Sequence, residues 1–357
     1  MIKVIAILVT GMLLVAGSVS AQTVSETMIF PEPTGAYAVG RVERTWIDPS
    51  REEVFTASPD DLREVSAYIW YPAVDDDAPV ASWLNPVLAP VYSEQFGLPL
   101  EMVAELVTVH ARSDAGVAVS ETPFPVLIMS HGNSWFPELY TTLAESLASH
   151  GYVVIGVRHT YNAAAALLTD GTVVRPVPAA DATGFTIPPN ATQLDILEMS
   201  DRHAQGLLAV QVGDLRFVLD QAERMNADDP VLAGSLDLSH VGVFGHSFGG
   251  AAAIDALLAD ERFDAAALID GSLYSDMSAG RDRPILALFA VVTLSGPNEA
   301  ELASLGLNPD ELERLTSILG RVRTLVEASP GSVLVSVAGA QHINFGDAGL
   351  LGGLIDG

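Results

Sequence analysis

Residues 245–249 read Gly245-His246-Ser247-Phe248-Gly249, a G-x-S-x-G pattern. It is set between an apolar run, 241–244, and a stretch that reads as a helix, 251–259 (AAAIDALLA). The pattern suits a serine held at a very sharp strand-to-helix turn. Such a turn strains the serine backbone and tolerates only glycine where strand and helix approach each other. The helix that follows points its unpaired amides at the serine. Alone, the five-residue pattern is weak, and the rival reading is an ordinary glycine-rich turn between a strand and a helix. The strand before it and the helix after it are what make it specific.

The rest of the chain repeats the same alternation. Apolar runs at 125–129 (PVLIM), 152–157 (YVVIGV), 241–245 (VGVFG), 265–269 (AAALI), 284–290 (PILALFA) and 332–337 (SVLVSV) alternate with helical stretches. Continuous apolar runs suit strands covered on both faces, which predicts an α/β fold with a mostly parallel central sheet and helices on both sides. Two earlier strands are expected at 39–47 and 64–71. Helices are expected around 99–110, at 140–149 with Gly151 closing it, at 193–225 with Gly206 and Gly213 as candidate interruptions, and from Asn308. Asn308 serves as N-cap with Pro309 in the first turn. The stripe Leu312, Leu315, Ile318, Leu319, Val322, Leu325 and Val326 faces the core in one reading and forms a lid (296–330) in another. Residues 160–192, rich in Pro, Ala and Gly, form an insertion and a candidate cap.

Composition bounds the setting. The start, with Lys3 followed by an apolar run to Val19 and the small-x-small triplet Val19-Ser20-Ala21, reads as a signal peptide over 1–21 cleaved after Ala21. A single domain, 22–357, then lies outside the cytoplasm, secreted or periplasmic; the rival reading is an uncleaved membrane anchor. No later run is long enough to span a bilayer. The sequence has no cysteine, which excludes disulfides, thiol catalysis, Cys-ligated metal and a cysteine-borne lipid anchor. A net charge of −28 disfavours nucleic acid and anionic membranes as partners. No metal-ligand spacing or phosphate-binding glycine loop occurs, so no cofactor is expected.

A serine hydroxyl needs a base, and in this kind of layout the acid and the histidine follow the nucleophile in that order. After Ser247 the only histidine is His342, just beyond the last strand. Asp270 closes the run 265–269, which places a carboxylate at the C-terminal edge of the sheet beside Ser247, where open α/β sheets bind ligands. Asp276 is the runner-up acid, and the following strand ends in Val291-Val292-Thr293-Leu294 without one. Of the two amides that must face a developing oxyanion, one belongs to Phe248. The other comes from the loop 130–135 (SHGNSW). His131 and His159 read as structural. Trp83, Tyr92, Phe96 and Trp135 are candidate pocket walls or core residues.

The chain resembles the platelet-activating-factor acetylhydrolase-like group of α/β-hydrolases, in its bacterial secreted form. The carrying segments are 35–49 (GAYAVGRVERTWIDP), 65–72 (VSAYIWYP), 125–132 (PVLIMSHG), 143–152 (LAESLASHGY), His159-Thr160-Tyr161, 241–250 (VGVFGHSFGG), 268–271 (LIDG) and 341–347 (QHINFGD). The resemblance implies a calcium-independent carboxylic ester hydrolase that removes short acyl groups. It maps the nucleophile onto Ser247, the acid onto Asp270, the base onto His342 and the oxyanion amides onto Asn133 and Phe248. Two departures stand out. Asn133-Ser134 follows His131-Gly132 where the family often has a smaller or apolar residue. The chain also ends soon after His342, so that a very short final helix or a C-terminal fragment is expected. The expected substrate is a small-molecule or lipid ester. The same triad acting on amides, lactones or polyesters is the alternative, and an inert binding protein on this fold is a further one.

Overall fold

The computed structural model describes residues 28–96, 100, 107–177, 193–278, 280–296 and 307–355. The expected signal peptide and residues 178–192 of the insertion lie outside them. In chain order the strands are β1 (Met28–Ile29), β2 (Ala38–Glu52), β3 (Leu62–Ala73), β4 (Val80–Ser82), β5 (Val107–Ser113), β6 (Phe124–Ser130), β7 (Val153–His159), β8 (Ala166–Leu167), β9 (Val173–Val174), β10 (Leu236–His246), β11 (Ala265–Ile269), β12 (Ile285–Ala290) and β13 (Val333–Val337). The helices are α1 (Ala89–Phe96), α2 (Thr141–Ser149), α3 (Gln193–Asp228), α4 (Phe248–Ala259), α5 (Val291–Ser295), α6 (Pro309–Ala328) and α7 (Ala348–Ile355).

One sheet runs in the order β1-β5-β2-β3-β7-β6-β10-β11-β12-β13, with β4 on β5; β8 and β9 pair apart from it. From β7 to β13 every neighbour is parallel, whereas β3 pairs antiparallel with both β2 and β7. Continuous apolar runs settle in the middle because both faces are covered: every residue of β7 is buried. Alternate residues of β3 divide between two cores. Val65, Ala67 and Ile69 pack with α3, α4 and α6, while Tyr68 and Trp70 pack with α1, α2 and α7. The expected mostly parallel sheet with helices on both faces is therefore present.

Two expectations change in detail. Residues 107–110 belong to strand β5, not to a helix, and their burial alternates with period two, the pattern of a pleated strand; 101–106 lie outside the described residues. Helix α3 runs unbroken through Gly206 and Gly213, because a core-facing stripe including Leu208, Leu215, Leu219 and Ala222 anchors it along its length. Helix α6 starts as predicted, with Asn308 Oδ1 accepting from the Glu311 amide at 3.0 Å and Glu311 Oε2 accepting from the Asn308 amide at 2.9 Å. Of its stripe, Leu315, Val322 and Leu325 are buried, and the helix packs on β12 and β13. A short final helix, α7, does follow His342, and its Leu351 is buried.

A buried ionic cluster ties the β2–β3 hairpin to the parallel part of the sheet. Arg63 on β3 grips Asp214 of α3 through Nε at 3.0 Å and Nη2 at 2.6 Å, and reaches Glu53 Oε2 at 2.9 Å. Asp214 also takes Arg51 Nη1 at 2.9 Å and His159 Nδ1 at 2.9 Å. Burial works against the Asp214 carboxylate, but the Arg63 guanidinium and its hydrogen bonds outweigh it and hold the group below the usual carboxylate range. Replacing Asp214 by Ala leaves two arginines facing a buried gap. The expected loss is about 3–5 kcal/mol, seen as a lower urea midpoint; an unchanged midpoint would mean that Glu53 alone neutralises the cluster.

Candidate active site

Strand β10 ends at His246 and α4 begins at Phe248, so Ser247 alone makes the turn between them. It adopts φ 57° and ψ −124°, a conformation that costs a non-glycine residue about 1–3 kcal/mol. Hydrogen bonds over-determine it: its amide donates to Ile269 O at 2.8 Å, and its carbonyl accepts from Gly250 N at 3.0 Å. The glycines on either side are dictated by close approach. A Cβ on Gly245 would lie 2.2 Å from Gly249 O, and one on Gly249 would lie 2.3 Å from Ser130 O. Ser247 is left half-buried at the tip. The Phe248 amide is the first of α4, with no acceptor within the helix and at its positive end.

Asp270 follows β11 directly. It takes a positive φ of 47°, and its amide donates to Leu288 O on β12 at 2.8 Å. The side chain is buried and fully used. Oδ1 accepts from the Ala290 amide at 2.8 Å, and Oδ2 accepts from Thr293 Oγ1 at 3.1 Å and from His342 Nδ1 at 2.7 Å. The last of these puts the proton of a neutral His342 on Nδ1, so Nε2 carries the free lone pair. Asp276, the runner-up acid, sits in an exposed turn and accepts from the Ser278 amide at 2.9 Å.

Histidines 131, 159, 246 and 342 cluster at this edge of the sheet. The first three are buried. Burial drives their pKa values down, that of His246 to about 3 with help from the adjacent His342, so they stay neutral. His131 and His159 are structural, as expected. His159 bridges Asp214 and Ser130 Oγ, the latter at 2.9 Å, and its amide donates to His131 Nε2 at 3.3 Å. Only the His342 side chain of the four is appreciably exposed, at 32%. It is the one of the four open to solvent.

The loop after β6 reaches the same point. A Cβ on Gly132 would stand 3.4 Å from Ser247 Cβ, and Asn133 follows it, exposed. Asn133 Oδ1 accepts from Asn162 Nδ2 at 2.8 Å, and Asn162 Oδ1 accepts from Gln211 Nε2 of α3 at 2.8 Å. The sequence-derived set Ser247, Asp270, His342, Phe248 and the Asn133 loop is thus brought to one edge. Thr293, Tyr140, Asn162 and Gln211 were not singled out. Thr293 alone left a signal, as the first polar residue after β12 in a stretch that offers no acid. Trp83 and Tyr92 prove to be core: Trp83 Nε1 donates to Glu138 O at 3.0 Å, and Tyr92 stacks on Phe136 at 4.1 Å between centroids. Trp135 lies 5.3 Å from the His246 ring, and the side chain of Phe96 lies outside the described part. Among the described residues no group of three or more His, Cys, Asp or Glu could hold a metal ion, and no helix is long and apolar enough to cross a membrane.

Comparison with known proteins bears on the family and the fold. The family model described as platelet-activating factor acetylhydrolase, isoform II, matches residues 22–177 and 205–355. The chain is similar to the platelet-activating factor acetylhydrolase of Cavia porcellus, 29% identical over 221 residues, which is 57% of this chain and 49% of that one. The chain thus spans about half the length of that relative. It is also similar to a probable 1-alkyl-2-acetylglycerophosphocholine esterase of Arthroderma benhamiae (24% identical, 76% of this chain and 67% of the other) and to the platelet-activating factor acetylhydrolase of Canis lupus familiaris (24%, 82% and 66%). Among solved structures, a ferulic acid esterase from Streptomyces cinnamoneus superposes with a TM-score of 0.67 at 24% identity, over 91% of this chain and 81% of the other. The fold is that of the α/β-hydrolases.

The turn beyond His342 carries one displaced titration. The Asp347 amide donates to Leu139 O at 2.6 Å, and its Oδ2 accepts from the Thr142 amide at 3.1 Å, at the start of α2. Burial pushes its carboxyl up to about 7, against the pull of the Thr142 hydrogen bonds. The folded chain therefore binds this proton more tightly than the unfolded chain does. The stabilisation is full below the ordinary aspartate range and is lost as pH rises through about 7. Asp347→Asn is expected to flatten the fall in stability between about pH 5 and 8, measured by urea titration at each pH. A fall as steep as in the parent protein would assign it to another group.

Proposed function

The chain belongs to the platelet-activating factor acetylhydrolase, isoform II, family, and on that premise we propose that it is a serine carboxylic ester hydrolase acting on short-acyl esters, acetyl esters of phospholipid-like alcohols above all. The observation that carries the reading is the 2.7 Å hydrogen bond from His342 Nδ1 to the buried Asp270 carboxylate, at the sheet edge that also bears the strained elbow of Ser247.

In this reading Ser247 Oγ attacks the ester carbonyl carbon while His342 Nε2 takes its proton. Asp270 holds the imidazole in the required tautomer and stabilises its charged form. The amides of Phe248 and Asn133 receive the negative charge that develops on the carbonyl oxygen. The tetrahedral species expels the alcohol, which leaves with the proton from His342. A water molecule, deprotonated by His342, then attacks the acyl-serine, releasing the carboxylic acid and regenerating Ser247. Thr293 is a positioning residue in this scheme, since its hydroxyl bonds the same Asp270 oxygen as His342.

We also propose export, with the signal peptide removed after Ala21. The exported protein should begin at Gln22 by N-terminal sequencing; an exported chain that still begins at Met1 would contradict this. For the activity, hydrolysis of p-nitrophenyl acetate, butyrate and octanoate is measured beside a Ser247→Ala variant. The expected result is cleavage that declines with acyl length and falls by about three orders of magnitude or more in the variant. Near-normal turnover by Ser247→Ala, or no hydrolysis by the folded parent, would refute the assignment.

A further inference from the structure

Two residues that this scheme leaves without a role lie between its parts. The His246 ring sits against the His342 ring, with centroids 4.5 Å apart. His246 Nε2 lies 3.1 Å from the His342 carbonyl oxygen. A carbonyl can only accept, so Nε2 is the donor. With the ring neutral, Nδ1 is then an acceptor, and its partner at 2.9 Å is the Tyr140 hydroxyl. Tyr140 is buried, and burial raises its pKa well above the ordinary tyrosine value, so the hydroxyl keeps its proton and donates it to Nδ1. The lone pairs of Tyr140 Oη then accept from the Gly132 amide at 3.2 Å. Each donor along this line meets an acceptor, and one set of proton positions satisfies all three bonds.

The ends of the line matter. One end is the main chain of His342; the other is the residue before Asn133. The Gly132 end lies against Ser247: a Cβ on Gly132 would stand 3.4 Å from Ser247 Cβ, 3.5 Å from Tyr140 Oη and 3.6 Å from His246 Nδ1, and the other end, through His246, adjoins Ser247 in the chain. The turn after His342 also closes on Tyr140, since a Cβ on Gly346 would come within 3.3 Å of Tyr140 Cε1. We propose that Tyr140 and His246 form a neutral hydrogen-bonded bridge that fixes the spacing between the His342 loop and the Gly132–Asn133 loop about Ser247. Both are positioning residues. The inference rests on the proposed ester hydrolysis, because the spacing has this meaning only if His342 and Asn133 act on one substrate.

Removing the Tyr140 hydroxyl leaves the ring and its packing but cuts the bridge in the middle. Tyr140→Phe should therefore fold, lower kcat on p-nitrophenyl acetate roughly 10- to 100-fold, as small misplacements of catalytic groups do, and leave KM within about twofold. Labelling of Ser247 by a fluorophosphonate should slow by the same factor. His246→Gln, whose amide can still donate to His342 O and accept from Tyr140, should retain several times the kcat of His246→Leu. Nitrogen-15 spectra of the parent should show His246 neutral with its proton on Nε2 across the working pH range. A folded Tyr140→Phe with parental kcat and labelling rate would overturn the bridge, as would a His246 protonated on Nδ1 or equal activity in the Gln and Leu variants. Failure of the underlying assignment looks different: the parent itself would neither label nor hydrolyse, or Ser247→Ala would still do so.

Discussion

The closeness of α4 to the end of β6 is the constraint on which the functional edge depends. A single methyl group at Gly249 would meet the carbonyl oxygens of Ser130 and His131 at 2.3 and 2.4 Å. Only at this separation can the first turn of the helix present its free amides beside the loop that carries Gly132 and Asn133. The same closeness forces the chain from β10 to α4 in one residue, which leaves Ser247 in its strained conformation. Strain of this kind persists only when the surroundings over-determine it. Here they do, through the pairing of Ser247 with Ile269 O and Gly250 N.

The acidic composition has an internal counterpart. With Lys3 as its one lysine, the chain relies on arginine for nearly all its cations, and some of these are spent inside. Arg63 serves Glu53 and Asp214, while Arg158 serves Glu138, the Tyr92 hydroxyl and Ala165 O. The planar guanidinium can satisfy several buried acceptors at once, which an ammonium group cannot do in a fixed fork. The desolvation cost of such buried pairs offsets much of their attraction, so their presence is weak evidence for net stability. Here they tie the β2–β3 hairpin to α3 and the turn before α2 to β7.

How much of this was legible in the sequence follows from how local each signal is. The parallel strands were readable because burial on both faces leaves an unbroken apolar run, and the elbow because close approach leaves glycines at fixed offsets. His342 was readable because no other histidine follows Ser247. Residues 107–110, the start of the strand Val107–Ser113, read as the end of a helix because the apolar residues there are few and the alternation is short. Partners supplied by topology left no trace: Tyr140 meets His246 across a separation of 106 residues, and Asn162 meets Gln211 across 49. The place of Asn133 came from family resemblance rather than from its own chemistry, and the structure adds the side-chain tether that holds it.

The carboxylate that grips His342 is borne by the end of β11, the strand next to the one that carries Ser247, and the two ends are stitched together by main-chain hydrogen bonds. Ser247 and Asp270 thus follow neighbouring strands, while His342 reaches them from beyond β13 at the edge of the sheet. Past Thr293, no described residue of the excursion from α5 through α6 to β13 joins the hydrogen bonds around Asp270 before His342 does. Ser247 and Asp270 are thus held relative to each other by adjoining backbone, whereas the approach of His342 depends on the chain returning through α6 to the edge strand β13.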